Sequence, residues 1–393
     1  MGGKDIRVGM VGYQMMGKAH SHAYRDVPFY FDTDATPKLQ AIAGRDEEKV
    51  ASAASKMGWS SYETDWRRLI ERDDIDLIDI VTPNNTHADI AIAAAEAGKH
   101  VICEKPLGLT LEQSQKMLDA VKKTGVVNMI CHNYRFAPAV QWAKQLIDEG
   151  RLGKIYHIRA TFLQDMLMDP NFPLIWRLKK DVAGSGTLGD LGAHIIDLAR
   201  FLVGELSEVT GMTETFIKKR PLGGMTSNLK PEIESHEYGD VTVDDAVAFL
   251  ARFENGALGT FEATRYARGN RAGNRFEING EKGSVRWDME NMNNLQVYLE
   301  DDERGLQGFR TINCTEEEHP FAGNYWPAAH IMGYEHTFIN LMSELMNGIA
   351  KGDSPEPHFE DGVKNQAVLE AVETSAREGQ WVDVSKLLDA VRL

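Results

Sequence analysis

The first third of the chain alternates short apolar, β-branched runs with amphipathic stretches. Ile6–Val11, Leu39–Ala43, Asp76–Val81, His100–Cys103 and Val126–Cys131 read as strands. Helices are predicted between them: one from about Met16, then Glu47–Met57, Ala88–Ala97 and Leu111–Lys123. Gly98 and Gly125 follow the last two, where a left-handed residue commonly ends a helix. Apolar strands separated by helices imply a parallel sheet covered on both faces. After about residue 155 the pattern changes. Ile155–Leu163 reads as a strand, one helix follows over Leu188–Leu202, and longer strands then pair through hairpin signals. AVAFLARF and ALGTFEATRY flank Glu254-Asn255-Gly256, and RFEI and SVRWDM flank a turn with Asn279-Gly280 and Gly283. Residues 218–240, polar and rich in Gly, Pro and Ser, read as a long loop. Helices at about Tyr334–Asn347 and Asp361–Arg377 close the chain. The expected fold is α/β: a parallel domain over 1–131, then an α+β domain over 132–393 with a large, mainly antiparallel open sheet.

A length of 393 residues suits two domains, and 42% hydrophobic residues supply an ordinary globular core. The formal net charge of −16 repels a phosphate backbone and excludes nucleic acid as a general partner. Three cysteines, Cys103, Cys131 and Cys314, with no C-x-x-C give neither a disulfide framework nor a structural zinc site. The opening MGGKDIRVGMVG has no apolar signal core, and no apolar run reaches the roughly 18 residues of a membrane helix. A cytoplasmic protein is expected.

Gly12-Tyr13-Gln14-Met15-Met16-Gly17 lies between the first strand and the first helix. It is a G-x-G-x-x-G with Gln14 in place of the middle glycine. Such a turn brings backbone and a helix N-terminus to a pyrophosphate. The second strand ends in Ala43-Gly44-Arg45-Asp46. Arg45 suits a 2′-phosphate or an adenine face and Asp46 suits ribose hydroxyls, so NAD and NADP both stay open. Glu104-Lys105-Pro106 follows the fourth strand, at the end where parallel sheets bind ligands. A Gly-rich stretch, Gly184 to Asp197, enters a helix with Asp190 and His194 at i,i+4 on one face and Asp197 roughly sharing it. Helix-weakening Gly189 and Gly192 fit close approach of a ligand. A histidine beside a carboxylate is a natural proton acceptor near neutral pH. No His/Cys/carboxylate spacing suggests a metal. His20 and His22, at i,i+2 on the first helix, read as packing or solvent-facing, with one of them lining the cofactor cleft as the alternative; His319, His330 and His336 read as packing, with a substrate lid as the alternative.

These motifs, with Thr82-Pro83-Asn84, His87 and Asn133-Tyr134-Arg135, occur in an order that resembles the glucose–fructose oxidoreductase / inositol dehydrogenase / MocA (Gfo/Idh/MocA) family. MGKAHSHAY, FLQDMLMDP, PLIWRLKK, AGSGTLGDLGAHIIDLARFLVGE and VDDAVAFLARFENGALGTFEATR are most similar to its levoglucosan dehydrogenase-like (sugar 3-dehydrogenase) branch. The resemblance implies a Rossmann dinucleotide-binding domain and an open-sheet domain whose exposed face makes homodimers or homotetramers. It implies NAD or NADP contacts from Gly12, Gln14, Met15, Met16, Gly17, Arg45, Thr82, Pro83, Asn84, His87, Glu104, Lys105, Asn133, Trp176 and Arg177. It implies Lys105, Asp190 and His194 at the reacting carbon, and sugar or polyol contacts from Tyr134, Arg135, Gln164, Asp165 and Met166. Met166 stands where the branch's levoglucosan-oxidising enzyme carries an aromatic residue, leaving room for another substrate. The activity implied is oxidation of a secondary hydroxyl by hydride transfer, with Lys105 or His194 as proton acceptor. The alternatives are a glycosidase that uses transient oxidation on a retained nicotinamide, and a cofactor-binding regulator without chemistry.

Overall fold

The computed structural model describes residues 4–225 and 231–391. Its first sheet joins β1 (Lys4–Val11), β2 (Ala35–Ala43), β3 (Ser61–Glu63), β4 (Leu77–Ile80), β5 (His100–Glu104) and β6 (Asn128–Cys131). All pairings are parallel, in the order β3-β2-β1-β4-β5-β6. The helices between them are α1 (Met15–Tyr30), α2 (Glu47–Met57), α3 (Trp66–Glu71), α4 (His87–Glu96) and α5 (Leu111–Thr124). The chain winds outward from β1 in one direction and from β4 in the other. The crevice beyond their carboxyl ends is where such sheets receive ligands. Local chemistry sets the ends: Asp46 caps α2 and Thr110 caps α5, while Gly58 and Gly125 terminate them in the left-handed region.

Helix α6 (Pro138–Asp148), which the apolar pattern does not predict, leads into β7 (Ile155–Leu163). A short α7 (Lys180–Ala183) and α8 (Ala193–Leu202) follow, then β8 (Leu206–Glu214). The span read as a loop is instead two paired antiparallel strands, β9 (Lys219–Met225) and β10 (Pro231–Asp240). Their composition is turn-like because they pair apart from the main sheet; residues 226–230 lie outside the described residues. Next come β11 (Ala246–Phe253), β12 (Leu258–Thr264), β13 (Gly273–Gly280), β14 (Gly283–Asp288), β15 (Asn294–Leu299) and β16 (Arg310–Asn313). Helices α9 (Tyr334–Lys351) and α10 (Phe359–Glu378), strand β17 (Val382–Asp383) and α11 (Val384–Ala390) end the chain.

The second sheet has nine strands in the order β16-β15-β14-β13-β7-β12-β11-β8-β17, antiparallel except for β7–β12. Along β11 exposure alternates strictly. Val247, Phe249 and Ala251 point into the core with Ile158, Ala160 and Phe162 of β7, whereas Ala248 and Leu250 face out. One apolar cluster runs from β1, β4 and β5 through α8 into this sheet, and a second joins α1 to α9. Elements of the two sheets therefore share a core.

Candidate active site

At the end of β1, Gly12 adopts φ +111°, and a Cβ there would sit 2.8 Å from the Val81 carbonyl oxygen. Only glycine fits that close, left-handed turn. Gln14 replaces the middle glycine at φ −79°, within reach of any residue, and its side chain is exposed. Helix α1 then begins with no side-chain cap and no acid in its first turn. Its leading N–H groups, with Met15, Met16 and Gly17 around them, are thus available to an anion. At the β2 end, Asp46 accepts the Lys49 backbone N–H at 3.0 Å as the α2 cap, and Arg45 is exposed. This cradle fits a dinucleotide.

After β4, the Thr82 hydroxyl is engaged by Thr86 at 2.6 Å, and Asn84 donates to the Ala183 carbonyl at 2.9 Å across the cleft. Pro83 lies between them at φ −59°. His87 is fully buried, and its ring nitrogens face the carbonyls of Thr82 and Pro106 at 2.9 and 3.0 Å. It clamps the two ligand-side loops together and does not line the cleft.

Lys105 leaves β5 and donates to the Asp190 carbonyl at 2.7 Å and to Asp190 Oδ1 at 3.2 Å. The other oxygen, Oδ2, accepts from Arg265 Nη2 at 2.7 Å. Arg265 was not singled out from the sequence; it immediately follows β12 and is fully buried. Burial alone would favour the neutral acid, but Lys105, Arg265 and Arg177 hold the Asp190 carboxyl well below the usual carboxylate range. His194, 8% exposed, has no hydrogen-bond partner among the described residues; the rings of Tyr134 and Phe162 hold it at centroid distances of 4.7 and 5.8 Å. Burial, then Lys105, push its pKa well below the ordinary 6.5, so the ring is a neutral base.

The stretch from Leu188 to Gly192 is a single wide π-type turn that runs into α8. Such bulges often mark functional positions. One expectation for this stretch is corrected. Asp197 does not share the reactive face; it is buried against Arg135. The glycines also serve the protein's own packing: a Cβ on Gly189 would meet Ser185 Oγ at 2.4 Å, one on Gly192 would meet Leu188 Cδ1 at 3.3 Å, and one on Gly186 would meet the Asp244 carbonyl at 1.9 Å. Asp244 pins this turn by accepting the N–H groups of Gly186 and Leu188 at 2.7 and 2.8 Å.

Asn133 to Phe136 form one tight 3-10 turn, so consecutive side chains diverge. Tyr134 packs on His194, and Asn133 donates to Thr337 of α9 at 2.8 Å. Arg135 departs from its expected place at the sugar. It is 3% exposed, donates to Asp197 at 2.7–3.0 Å and to Asp361 at 3.2 Å, and belongs to the core. Gln164 continues the β7 edge through its backbone, and Asp165 binds Arg271 and the Gly269 N–H at 3.1 and 3.0 Å. Met166 is half-buried on a small apolar cluster with Leu167, Phe172 and Leu174. The Arg177 guanidinium lies 4.4 Å over the Trp176 ring. Buried Arg220 of β9 holds this segment from behind, donating to the carbonyls of Leu167, Asp169 and Phe172 at 2.7, 2.8 and 3.2 Å.

His319, His330 and His336 lie apart from this chemistry. His319 packs on Trp142, His336 on Tyr325, and His330 is exposed. Cys103, Cys131 and Cys314 are free and buried. Ligand-type atoms of His20, Glu104 and Cys131 come within 4.8 Å of one another, an approach that the His20–Glu104 hydrogen bond accounts for without an ion.

Residues 6–132 match the family model described as "Oxidoreductase family, NAD-binding Rossmann fold", and residues 140–286 match the "GFO/IDH/MocA C-terminal domain". The chain is 44% identical to levoglucosan dehydrogenase of Pseudarthrobacter phenanthrenivorans, covering 98% of this chain and 99% of that protein. Among solved structures, an oxidoreductase domain protein from Kribbella flavida superposes with a TM-score of 0.92 at 48% identity, over 97% of this chain and 99% of that one. Levoglucosan dehydrogenase in complex with NADH and levoglucosan gives a TM-score of 0.91 at 44% identity with the same coverage. Near-complete coverage at this identity places the shared fold and the cradle above in one lineage: the chain belongs to the Gfo/Idh/MocA family of NAD-binding oxidoreductases.

Proposed function

We propose that the protein is an NAD-dependent dehydrogenase that oxidises a secondary hydroxyl, at C3, of a sugar, anhydrosugar, glycoside or polyol. The observation that carries this reading is the ionised Asp190 held between Lys105 and Arg265 beside a neutral His194. A regulator needs no such set of charges. NAD, held by the Gly12–Gly17 turn, the start of α1 and the loops after β4 and β5, supplies the hydride acceptor when bound. His194 takes the hydroxyl proton, because it alone of the three is an uncharged base. The Lys105 ammonium, one N–H turned to the Asp190 carbonyl, directs its remaining donors at the oxygen and stabilises the charge that develops there. Asp190 keeps Lys105 in place and does not itself accept the proton. Trp176, Arg177, Tyr134 and Met166 form the remaining walls in this reading.

The test is a panel of levoglucosan, glucosides and inositols followed at the NADH absorbance with NAD and NADP separately. Turnover of at least one member with NAD is the expected result. Release of a cleaved glycoside without net NADH would instead establish the glycosidase. The pH profile follows from the sign of the His194 shift. A base with a lowered pKa stays unprotonated until the pH falls below its ordinary 6.5. The acid limb of kcat/KM should therefore lie below pH 6.5, and a limb above 7 would reject His194 as the acceptor.

We also propose 1–131 and 132–393 as the nucleotide and substrate domains, and a cytoplasmic enzyme. Among the described residues no helix is long and apolar enough to cross a membrane. The outer face of the large sheet exposes Tyr156, Met212, Leu250 and Leu258, which supports a homodimer or homotetramer joined there. Leu250→Glu with Leu258→Glu should give a monomer by light scattering, and an unchanged mass would remove this face from the interface.

A further inference from the structure

His20 of α1 is fully buried below the cleft, among groups that no other part of the mechanism uses. Its Nδ1 faces the two oxygens of Asp79 in β4 at 3.1 and 2.9 Å. Its Nε2 faces Glu104 Oε1 at the end of β5 at 3.0 Å, with Cys131 Sγ of β6 at 3.5 Å. Phe338 of α9 closes the remaining side, 5.4 Å between ring centroids, and Tyr24, also buried, lies on the same helix one turn on. Asp79 has 0% exposure and Glu104 7%. The second Glu104 oxygen accepts the backbone N–H of Lys105 at 3.2 Å.

A carboxylate stands at each nitrogen of one ring. A neutral imidazole carries one N–H, so its other nitrogen would set a lone pair against carboxylate lone pairs. With both carboxyls ionised, only the imidazolium satisfies both sides, and it also offsets one of two buried negative charges. Burial opposes the charged ring, but Asp79 foremost holds its pKa well above the ordinary value.

We infer that His20 is a positioning residue: a buried imidazolium that keeps Glu104 ionised and fixed, so that Glu104 fixes the backbone from which Lys105 reaches the reacting oxygen. The same bond ties α1 to the strand end that carries the catalytic amine. This rests on the role given to Lys105 above.

The first test needs neither cofactor nor substrate. In proton–nitrogen spectra of histidine-labelled protein, His20 should keep both nitrogens protonated through pH 8. A ring that is neutral at pH 7 overturns the inference. The second test is His20→Gln, which carries no charge and presents its two N–H donors from one nitrogen instead of from two sides of a ring. The variant should lose on the order of 10- to 100-fold in kcat, as small misplacements of a reacting group do. It should bind NAD by calorimetry within about threefold of the parent, the cost of displaced phosphate contacts being absent. It should also gain a new ionisation in its kcat profile, from a carboxylate that has lost its counter-charge. An unchanged kcat and pH profile in a folded variant overturns the inference. Where His20→Gln does not fold, Asp79→Asn takes its place: His20 should then titrate within the accessible range, and a ring still charged at pH 8 overturns the role of Asp79. Inactivity on every sugar overturns the functional reading together with the link to Lys105, whereas a neutral His20 in an active enzyme overturns this inference alone.

Discussion

Exchange of His194 for Asn is expected to lower kcat by roughly 10²- to 10⁴-fold, the usual worth of a general base. NAD affinity, measured by calorimetry, should change little. The reasoning starts from the ring's surroundings. Tyr134 and Phe162 hold it in place, and no hydrogen bond among the described residues competes for its nitrogens. Asn keeps a polar group in the same buried site but accepts no proton near neutral pH. Lys105→Met removes the opposite charge and should cost kcat by a comparable factor. It also leaves Asp190 with Arg265 as its remaining bonded cation. If both variants keep kcat within about tenfold of the parent on a confirmed substrate, less than a general base contributes, the proton route through this pair is wrong.

The largest stability effect is expected at Arg135. Its guanidinium and the Asp197 carboxylate are 3% and 2% exposed, and Asp361 takes a further bond from it. Arg135→Ala leaves the buried Asp197 carboxylate without its bonded counter-charge, while Asp361 keeps Arg200 at 3.7 Å, and the loss costs about 3–5 kcal/mol. The measurement is the urea midpoint at pH 7, read with the unfolding slope unchanged. Arg135→Leu combined with Asp197→Leu should recover much of the loss, because an apolar pair carries no desolvation penalty. A single variant within about 1 kcal/mol of the parent would mean that Arg135 contributes no more than an exposed pair does.

The two expectations differ in how far sequence led to them. The parallel sheet was legible because strands buried on both faces leave unbroken apolar runs, as in Val101–Cys103. The Asp190–His194 spacing was legible because it lies within one local segment. Contacts that bring distant segments together were not. Arg265 reaches Asp190 across 75 residues, and His20 meets Asp79 and Glu104 across 59 and 84. One signal was present for the last: Asp79 sits inside a central apolar strand, and a buried carboxylate demands a partner. The Arg135 expectation failed because adjacent residues of a 3-10 turn point apart, so the place of Tyr134 does not carry its neighbour with it. The β9–β10 pair was missed because its strands lack the alternation that a half-buried sheet imprints.

Arg220, on that overlooked strand, bears on how this protein diversifies. Its guanidinium fastens the carbonyls of Leu167, Asp169 and Phe172, immediately after Met166. Those bonds go to backbone, which is the same whatever side chain a neighbouring codon specifies. The segment is a fixed socket with an exchangeable lining. On the proposed reading that places Met166 at the sugar, a descendant gene can alter residue 166 and try a new substrate without having to rebuild the frame that presents it.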